Sequence, residues 1–300
     1  VILAIETATS ACSAAVLAAD GALVAERVED EGPAHTQRLL PFVHEVLTEA
    51  GAELGDLDAV VCGLGPGAYT GMRIGVATSR ALAQATGLPL GGAPTLAAVA
   101  LALAAGTEPG AGAFFGTPGG VAAKPGAPLV ALLDGKRREV FAQVFRVAAS
   151  HGEAAAGAAP TAREHRDDTV TIVSSVQSDD ALRRRALEEL APLAVVAADD
   201  LAAFLGRWSG ALVGGDGALL YAERLPATVT LAADATTPTA SMVGRAWLAG
   251  VPGAVERFDA VLPVYGRAPD ATRWHQVGPA TAHPATPAHP AAPGGPGGAT

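Results

Sequence analysis

"GLGPGAYTGMRIG", residues 63–75, spreads Gly63, Gly65, Gly67, Gly71 and Gly75 between an apolar run, "DAVVC" at 58–62, and a stretch with helical spacing. A glycine-rich turn from strand into helix is the geometry of a phosphate cradle, in which backbone N–H groups at a helix start face an anion. The side chains do not follow that chemistry. A P-loop sets Lys and then Ser or Thr after its last glycine, so that an ammonium and a hydroxyl reach phosphate and magnesium; Gly71 is followed by Met72 and Arg73. The dinucleotide pattern GxGxxG fails as well, because Ala68 stands where the third glycine belongs. What remains is freedom for positive φ or close backbone approach, and N–H groups that suit an anion or another chain.

Working outward, "VILAIET" and "CSAAVLAAD" read as strands, and Asp20-Gly21 marks a hairpin into "LVAERVEDE". "HTQRLLPFVHEVLTEAG" puts Leu39, Leu40, Val43, Val46 and Leu47 at helical spacing and stops at Gly51. Pro41 is harmless in the first turn of that helix and bends the axis if it lies deeper. After the strand "DAVVCGLG", the sequence gives a helix over "TGMRIGVATSRALAQATG" closed by Gly87, a strand in "LPLGGAP" and a helix in "TLAAVALALAA". Three strands, then helix, strand, helix, strand, helix is the order of a ribonuclease H-like or actin-like half-domain, an α/β fold.

Residues 107–127, including "TEPGAGAFFGTPGG", read as a Gly/Pro-rich connector. Beyond it, "PLVALLDGKRREVFAQVFRV" is a second hairpin turning at Asp134 and Gly135, "HGEAAAGAAPTAREHRDD" an insertion, and "TVTIVSSV" a strand. "SDDALRRRALEEL" has helical character with Ser178 as N-cap, "ALVGGDGALLYAERL" reads as strand, turn and helix, and "ASMVGRAWLAG" as a last helix. Two lobes are expected: a first over 1–106, completed by a segment near 239–270, and a smaller second over 128–238. Residues 271–300, low in complexity, are expected to be a disordered tail.

With 30 acidic and 20 basic side chains in 300 residues, the net charge of -10 argues against a protein that grips a phosphate backbone unaided. Cys12 and Cys62 are far apart in strand-like runs, which offers neither a disulfide framework nor a metal site and suits a reducing cytoplasm. No basic leader and no uninterrupted apolar span is visible, so neither secretion nor membrane insertion is expected.

Catalytic groups are not evident. In actin-like kinases an acid on the first strand, followed by a glycine-containing hairpin, holds magnesium and phosphates; Glu6 supplies an acid, yet the Thr7 to Ser13 turn has no glycine. Glu6, Thr7, Thr9 and Ser10 thus either form a residual nucleotide site or satisfy backbone groups at strand ends. His35 and His44 are too far apart to ligate a metal from one helix face, and His275, His283 and His289 fall in or beside the tail. No catalytic residue and no metal ligand is assigned.

"AIETATSACSAAV", "HTQRLLP", "GLGPGAYTGMRIG", "DGKRREVFAQVF" and "PVYGRAPD", in this order, resemble the TsaB family, formerly YeaZ. The resemblance is strong over 1–106, patchy in the second lobe, and absent from connector and tail. It implies an actin-like, two-lobed fold and a non-catalytic cytoplasmic subunit that forms a heterodimer with a TsaD-type transferase. That transferase modifies tRNA to threonylcarbamoyladenosine next to the anticodon; a TsaE-like ATPase joins through the assembly, and tRNA is met only through the complex. The metal belongs to TsaD through an HxxxH motif that this sequence lacks. The resemblance places the partner interface on the helices at 35–50 and 71–86, and so on Leu39, Leu40, Val43, Thr70, Gly71, Met72, Arg73, Ile74, Gly75 and Val76. Gly71, Gly75, Ala77 and Ala81 permit close helix packing, and Arg73 either pairs across the interface or caps the turn. No cofactor is expected, short of ATP or ADP at that interface. Two residues depart from the family: Glu6 stands where Asp is usual, and Gly266 where Leu or a similar residue is usual. The competing expectations are a nucleotide hydrolase or peptidase using the actin-like cleft, and a homodimer using the same helices.

Overall fold

The computed structural model describes residues 1–30, 35–105, 126–148, 187–232 and 237–267. Strands β1 (Ile2–Glu6), β2 (Cys12–Leu17) and β3 (Leu23–Glu29) form an antiparallel meander. Helix α1 (His35–Ala50) then leads to β4 (Ala59–Gly63), α2 (Tyr69–Thr86), β5 (Leu90–Ala93) and α3 (Thr95–Ala105). β4 pairs in parallel with β1, and β5 with β4, which gives the order β3-β2-β1-β4-β5. This is the half-domain arrangement that the order of elements in the sequence implies.

The arrangement occurs twice. β6 (Leu129–Asp134), β7 (Glu139–Val147), β8 (Leu187–Ala197), α4 (Leu201–Gly206), β9 (Leu212–Gly214), α5 (Asp216–Leu220) and β10 (Thr230–Leu231) follow, then α6 (Ala240–Leu248). The second sheet runs β10-β9-β6-β7-β8, so each half has a central strand with an antiparallel pair on one side and parallel strands on the other. Both halves lie within one compact unit, Val1–Gly266, and form a two-lobed α/β fold.

Strand alternation explains the layers. Ile2 and Ala4 of β1 face a core shared with Leu129, Ala131 and Leu133 of β6, while Leu3 and Ile5 face the opposite side, toward α1 and α2. Val130 and Leu132 of β6 likewise face a third core beneath α4. Between the sheets lies α3, "TLAAVALALAA", with every residue buried, as befits a helix apolar all round. Its alanines keep it slim enough to sit between two sheets. α6 returns to the first sheet and packs on β1, β2, β4 and β5 beside α3.

Two local readings are settled by the structure. Pro41 lies inside α1 beyond the first turn, where its missing N–H leaves the Gln37 carbonyl without a helical donor. The helix expected over "SDDALRRRALEEL" is corrected: Leu187–Leu190 belong to β8, paired with β7 from Glu139↔Ala197 to Val147↔Leu187. Good helix formers are drawn into a strand there because Val147 and Phe145 offer an edge to extend, and Arg146 bonds Glu188 at 2.8 Å across the pair. The insertion at 151–168, the strand at 169–176, the start of the 178–190 helix, most of the 107–127 connector and the tail lie outside the described residues.

The exposed Pro41 yields a stability prediction. A helix-interior proline costs ~3 kcal/mol relative to alanine, offset by ~1 kcal/mol from its stiffening of the unfolded chain. Pro41→Ala is therefore expected to stabilise the protein by about 1–2 kcal/mol in urea unfolding; a lower midpoint in the variant would refute this account of the helix.

Candidate functional site

The glycine turn meets the end of β1. Glu6, 1 % exposed, directs Oε1 to the backbone N–H of Ala8 at 2.5 Å and Oε2 to the hydroxyl of Thr95 at 2.7 Å. Thr95 opens α3, and its Oγ1 also accepts the N–H of Gly65 at 3.2 Å while its own N–H bonds the Gly65 carbonyl at 2.9 Å. One carboxylate thus ties β1, the turn after β4 and the start of α3. A side chain at Gly63 would overlap that carboxylate, and one at Gly67 would overlap the Ala8 carbonyl, which accepts the Ala68 N–H at 2.6 Å. The space where a phosphate cradle would hold its anion is filled by the chain's own β1–β2 segment.

The other residues of that segment are likewise engaged. Thr7 Oγ1 donates to the Gly71 carbonyl at 2.8 Å, and Thr9 Oγ1 accepts the Ala11 N–H at 3.3 Å. Ser13 Oγ accepts the Ala240 N–H at 2.9 Å, bringing α6 to the same point. Of Glu6, Thr7, Thr9 and Ser10, three are buried with polar atoms spent within the chain, and Ser10 alone is exposed. Burial raises the Glu6 carboxyl above its ordinary range, opposed by the Ala8 and Thr95 hydrogen bonds and reinforced by the charge of Asp216. Each oxygen of Glu6 is thus held by a donor of the chain itself.

The second half repeats the motif more openly. Asp134 ends β6 as Glu6 ends β1, and its N–H donates to Asp216 Oδ1 at 3.0 Å. Lys136 pairs with Asp134 at 2.6 Å, and Lys136, Arg137 and Arg138 follow with φ of 59, 54 and 61°, a left-handed turn rare for residues other than glycine. Burial pushes the Asp216 carboxyl up to about 6, with the Asp134 charge acting in the same direction and the Asp134 N–H opposing it. Burial also holds the Cys12 and Cys62 thiols at about 11 and about 12, so neither supplies a thiolate near neutral pH. Among the described residues no three His, Cys, Asp or Glu side chains gather as a metal requires, and no helix is long and apolar enough to cross a membrane.

The expected interface residues divide in two. Leu39, Val43 and Val76 belong to the core against the first sheet, and Met72, 2 % exposed, is buried beneath Gly65. Gly71 and Gly75 face inward as well: Thr7 bonds Gly71, and a side chain at Gly75 would overlap the Thr7 hydroxyl. These six are buried within the chain, where the spacing of small and apolar residues serves the packing of α1 and α2 on the first sheet. Leu40, Thr70 and Arg73 are exposed, and Ile74 is half-buried. Arg73 donates to the hydroxyl of Tyr69, the first residue of α2. The outer face of α2 carries Tyr69, Arg73, Ala77, Ala81 and Ala85 at intervals of four, all exposed, and Leu40, Pro41 and His44 of α1 are exposed as well. Tyr69 and Tyr265 were not singled out by sequence; the four-residue row is the signal that finds the first, and only the fold finds the second.

A family model described as TsaD, tRNA N6-adenosine threonylcarbamoyltransferase, matches residues 29–165. The tRNA threonylcarbamoyladenosine biosynthesis protein TsaB of Escherichia coli is 46 % identical over 99 residues, which cover 33 % of this chain and 42 % of that protein. Its namesake from Haemophilus influenzae is 36 % identical over 89 residues, 30 % of this chain and 37 % of its own length. The structure of YeaZ from Pseudomonas aeruginosa superposes with a TM-score of 0.57 at 28 % identity over 88 % of this chain and 98 % of that one. These matches support a TsaB/YeaZ assignment. The matched stretch spans less than half the length of the two curated TsaB relatives. Within that family frame, Gly266 has a physical reason: a side chain there would overlap the Phe141 ring, so glycine lets the segment after Val261 close on β7.

Asp216 gives the site a pH signature. Its folded value, about 6, lies above its ordinary 3.8, so between these values the folded chain holds a proton the unfolded chain has lost. Stability contributed by this group is complete below about 3.8 and is lost as pH rises through about 6. Asp216→Asn keeps the acceptor for Asp134 and removes the charge. The variant is expected to gain on wild type by up to about 3 kcal/mol between pH 4 and 7, at ~1.4 kcal/mol per pH unit at most; parallel pH profiles in urea unfolding would exclude it.

Proposed function

We propose that the chain is a non-catalytic, cytoplasmic subunit of the system that forms threonylcarbamoyladenosine in tRNA, and that it binds and activates a TsaD-type transferase. The observation that carries this is the closure of the Glu6 site. The acid at the position an actin-like enzyme would use is buried and bonded to Ala8 and Thr95, while the same segment fixes α2 with a row of exposed small residues outward. Ala77 and Ala81 let a partner helix approach closely, and the half-buried Ile74 on the same helix and the exposed Leu40 of α1 offer apolar surface. Support also comes from the TsaB relatives, which are tRNA threonylcarbamoyladenosine biosynthesis proteins. In this reading tRNA is met through the complex, which suits a net charge of -10, and a TsaE-like ATPase joins the same assembly. ATP or ADP, where the assembly holds it, belongs to the shared interface rather than to Glu6. A second copy of the chain would use the same face and compete with the transferase.

Reconstitution tests this. With a TsaD-type transferase, a TsaE-like ATPase, ATP, threonylcarbamoyl donor and tRNA, modification is expected to depend on this chain. Ala81→Arg, which places a long charged side chain on the row without touching the core, is expected to weaken the heterodimer tenfold or more, of order the loss of one interface hot spot. Equal modification with the chain omitted would overturn the proposal.

A further inference from the structure

Arg73, like Arg207, stands apart from most arginines of the described surface. Arg27, Arg38, Arg138, Arg146, Arg224 and Arg257 each pair with a carboxylate of this chain. Arg73, exposed, has no carboxylate within 4.0 Å among the described residues. Its guanidinium is nevertheless held in place: Nη1 donates to the Tyr69 hydroxyl at 3.2 Å, and Cζ lies 5.2 Å from the centre of the Tyr69 ring. Tyr69 in turn packs on Tyr265, with ring centres 5.2 Å apart and planes inclined by 31°. The rings remain 49 % and 43 % exposed, a large apolar surface for two tyrosines.

Resting on the partner-subunit reading above, we propose that Arg73, on its Tyr69–Tyr265 platform, receives a carboxylate of the TsaD-type transferase and so fixes the register of the partner along α2. Three features converge on this occupant. The guanidinium fork matches a carboxylate in two parallel hydrogen bonds, and a fork already oriented by Tyr69 loses little freedom on binding. Tyrosine and arginine together are the residue types that dominate binding energy in interfaces. Tyr69 and Arg73 also begin the row that continues through Ala77 and Ala81, so the charge contact and the close helix approach lie on one face. In an acidic chain this contact also discriminates: it welcomes an acidic partner surface where the rest of the molecule repels one.

The test measures the dissociation constant between the full chain and the transferase at 50 and 300 mM salt, for wild type, Arg73→Ala, Arg73→Lys and Arg73→Glu. Arg73→Ala is expected to weaken binding about tenfold or more at low salt and to flatten the salt dependence, since an ion pair at the interface has been removed. Arg73→Lys should be intermediate, keeping the charge without the fork, and Arg73→Glu weakest of all. Thermal unfolding of the variants is expected to match wild type, because Arg73 makes its contacts on the surface. If wild type binds and Arg73→Ala binds equally with the same salt dependence, this inference falls and the partner-subunit reading stands. If wild type does not bind, both fall. Unchanged transferase binding with weakened tRNA binding by the complex would assign Arg73 to a phosphate and overturn the carboxylate.

Discussion

The bond from Thr95 to the buried Glu6 carboxylate is the constraint on which the arrangement of the first half depends. A carboxylate removed from water must find donors or take up a proton, and Glu6 finds two, the Ala8 N–H and the Thr95 hydroxyl. These donors come from the segment after β1 and from the first residue of α3. Satisfying one acid therefore sets the distance between central strand and central helix. The glycines at 63 and 67 are needed for the same reason, since any side chain there would displace the carboxylate or the Ala8 carbonyl. The Leu64 carbonyl, on the same turn, accepts the Val264 N–H at 2.7 Å and so holds the late segment as well.

The two halves show how one topology accommodates an acid in two ways. Glu6 and Asp134 end equivalent central strands, and each lies against a glycine-rich turn that follows the next parallel strand. In the first half the longer side chain reaches across the turn to Thr95 and is sealed. In the second, Asp134 remains partly open, bonds Lys136, and leaves Asp216 to accept its backbone N–H. Burial raises both Glu6 and Asp216, and the charge of Asp216 adds to the cost of ionising Glu6.

Much of the fold was legible in the sequence because its signals are local. Alternating strands, Asp20-Gly21, the stops at Gly51 and Gly87, and the apolar run of α3 are each decided within a few residues, and each reports the element found. β8 was not legible. Leu187–Leu190 has helical preference, and its strand state comes from pairing with β7, some forty residues distant in sequence. The site was legible by residue type but not by direction. Glu6 and the glycines each stand out in the sequence as separate features, and the fold shows that the glycines admit a carboxylate and a carbonyl of the same chain. Met72, Val76, Leu39 and Val43 were apolar at the right spacing, and spacing alone does not say which of two apolar faces a helix turns inward. The repetition of the sheet order is not legible either, since two halves with different residues share one topology.

The sealed turn and the exposed helix face are two sides of one device. Gly71 and Gly75 let the inner face of α2 approach Thr7, and that close seat determines which residues point outward. A bulkier inner face would lift the helix, break the Thr7 bond to the Gly71 carbonyl, and turn the row of Tyr69, Arg73, Ala77 and Ala81 away from its present line. In a phosphate-binding loop, glycines bring backbone donors to a ligand. Here the same residue type brings a helix to its own sheet, and the freedom that would have served an anion serves the placement of a surface.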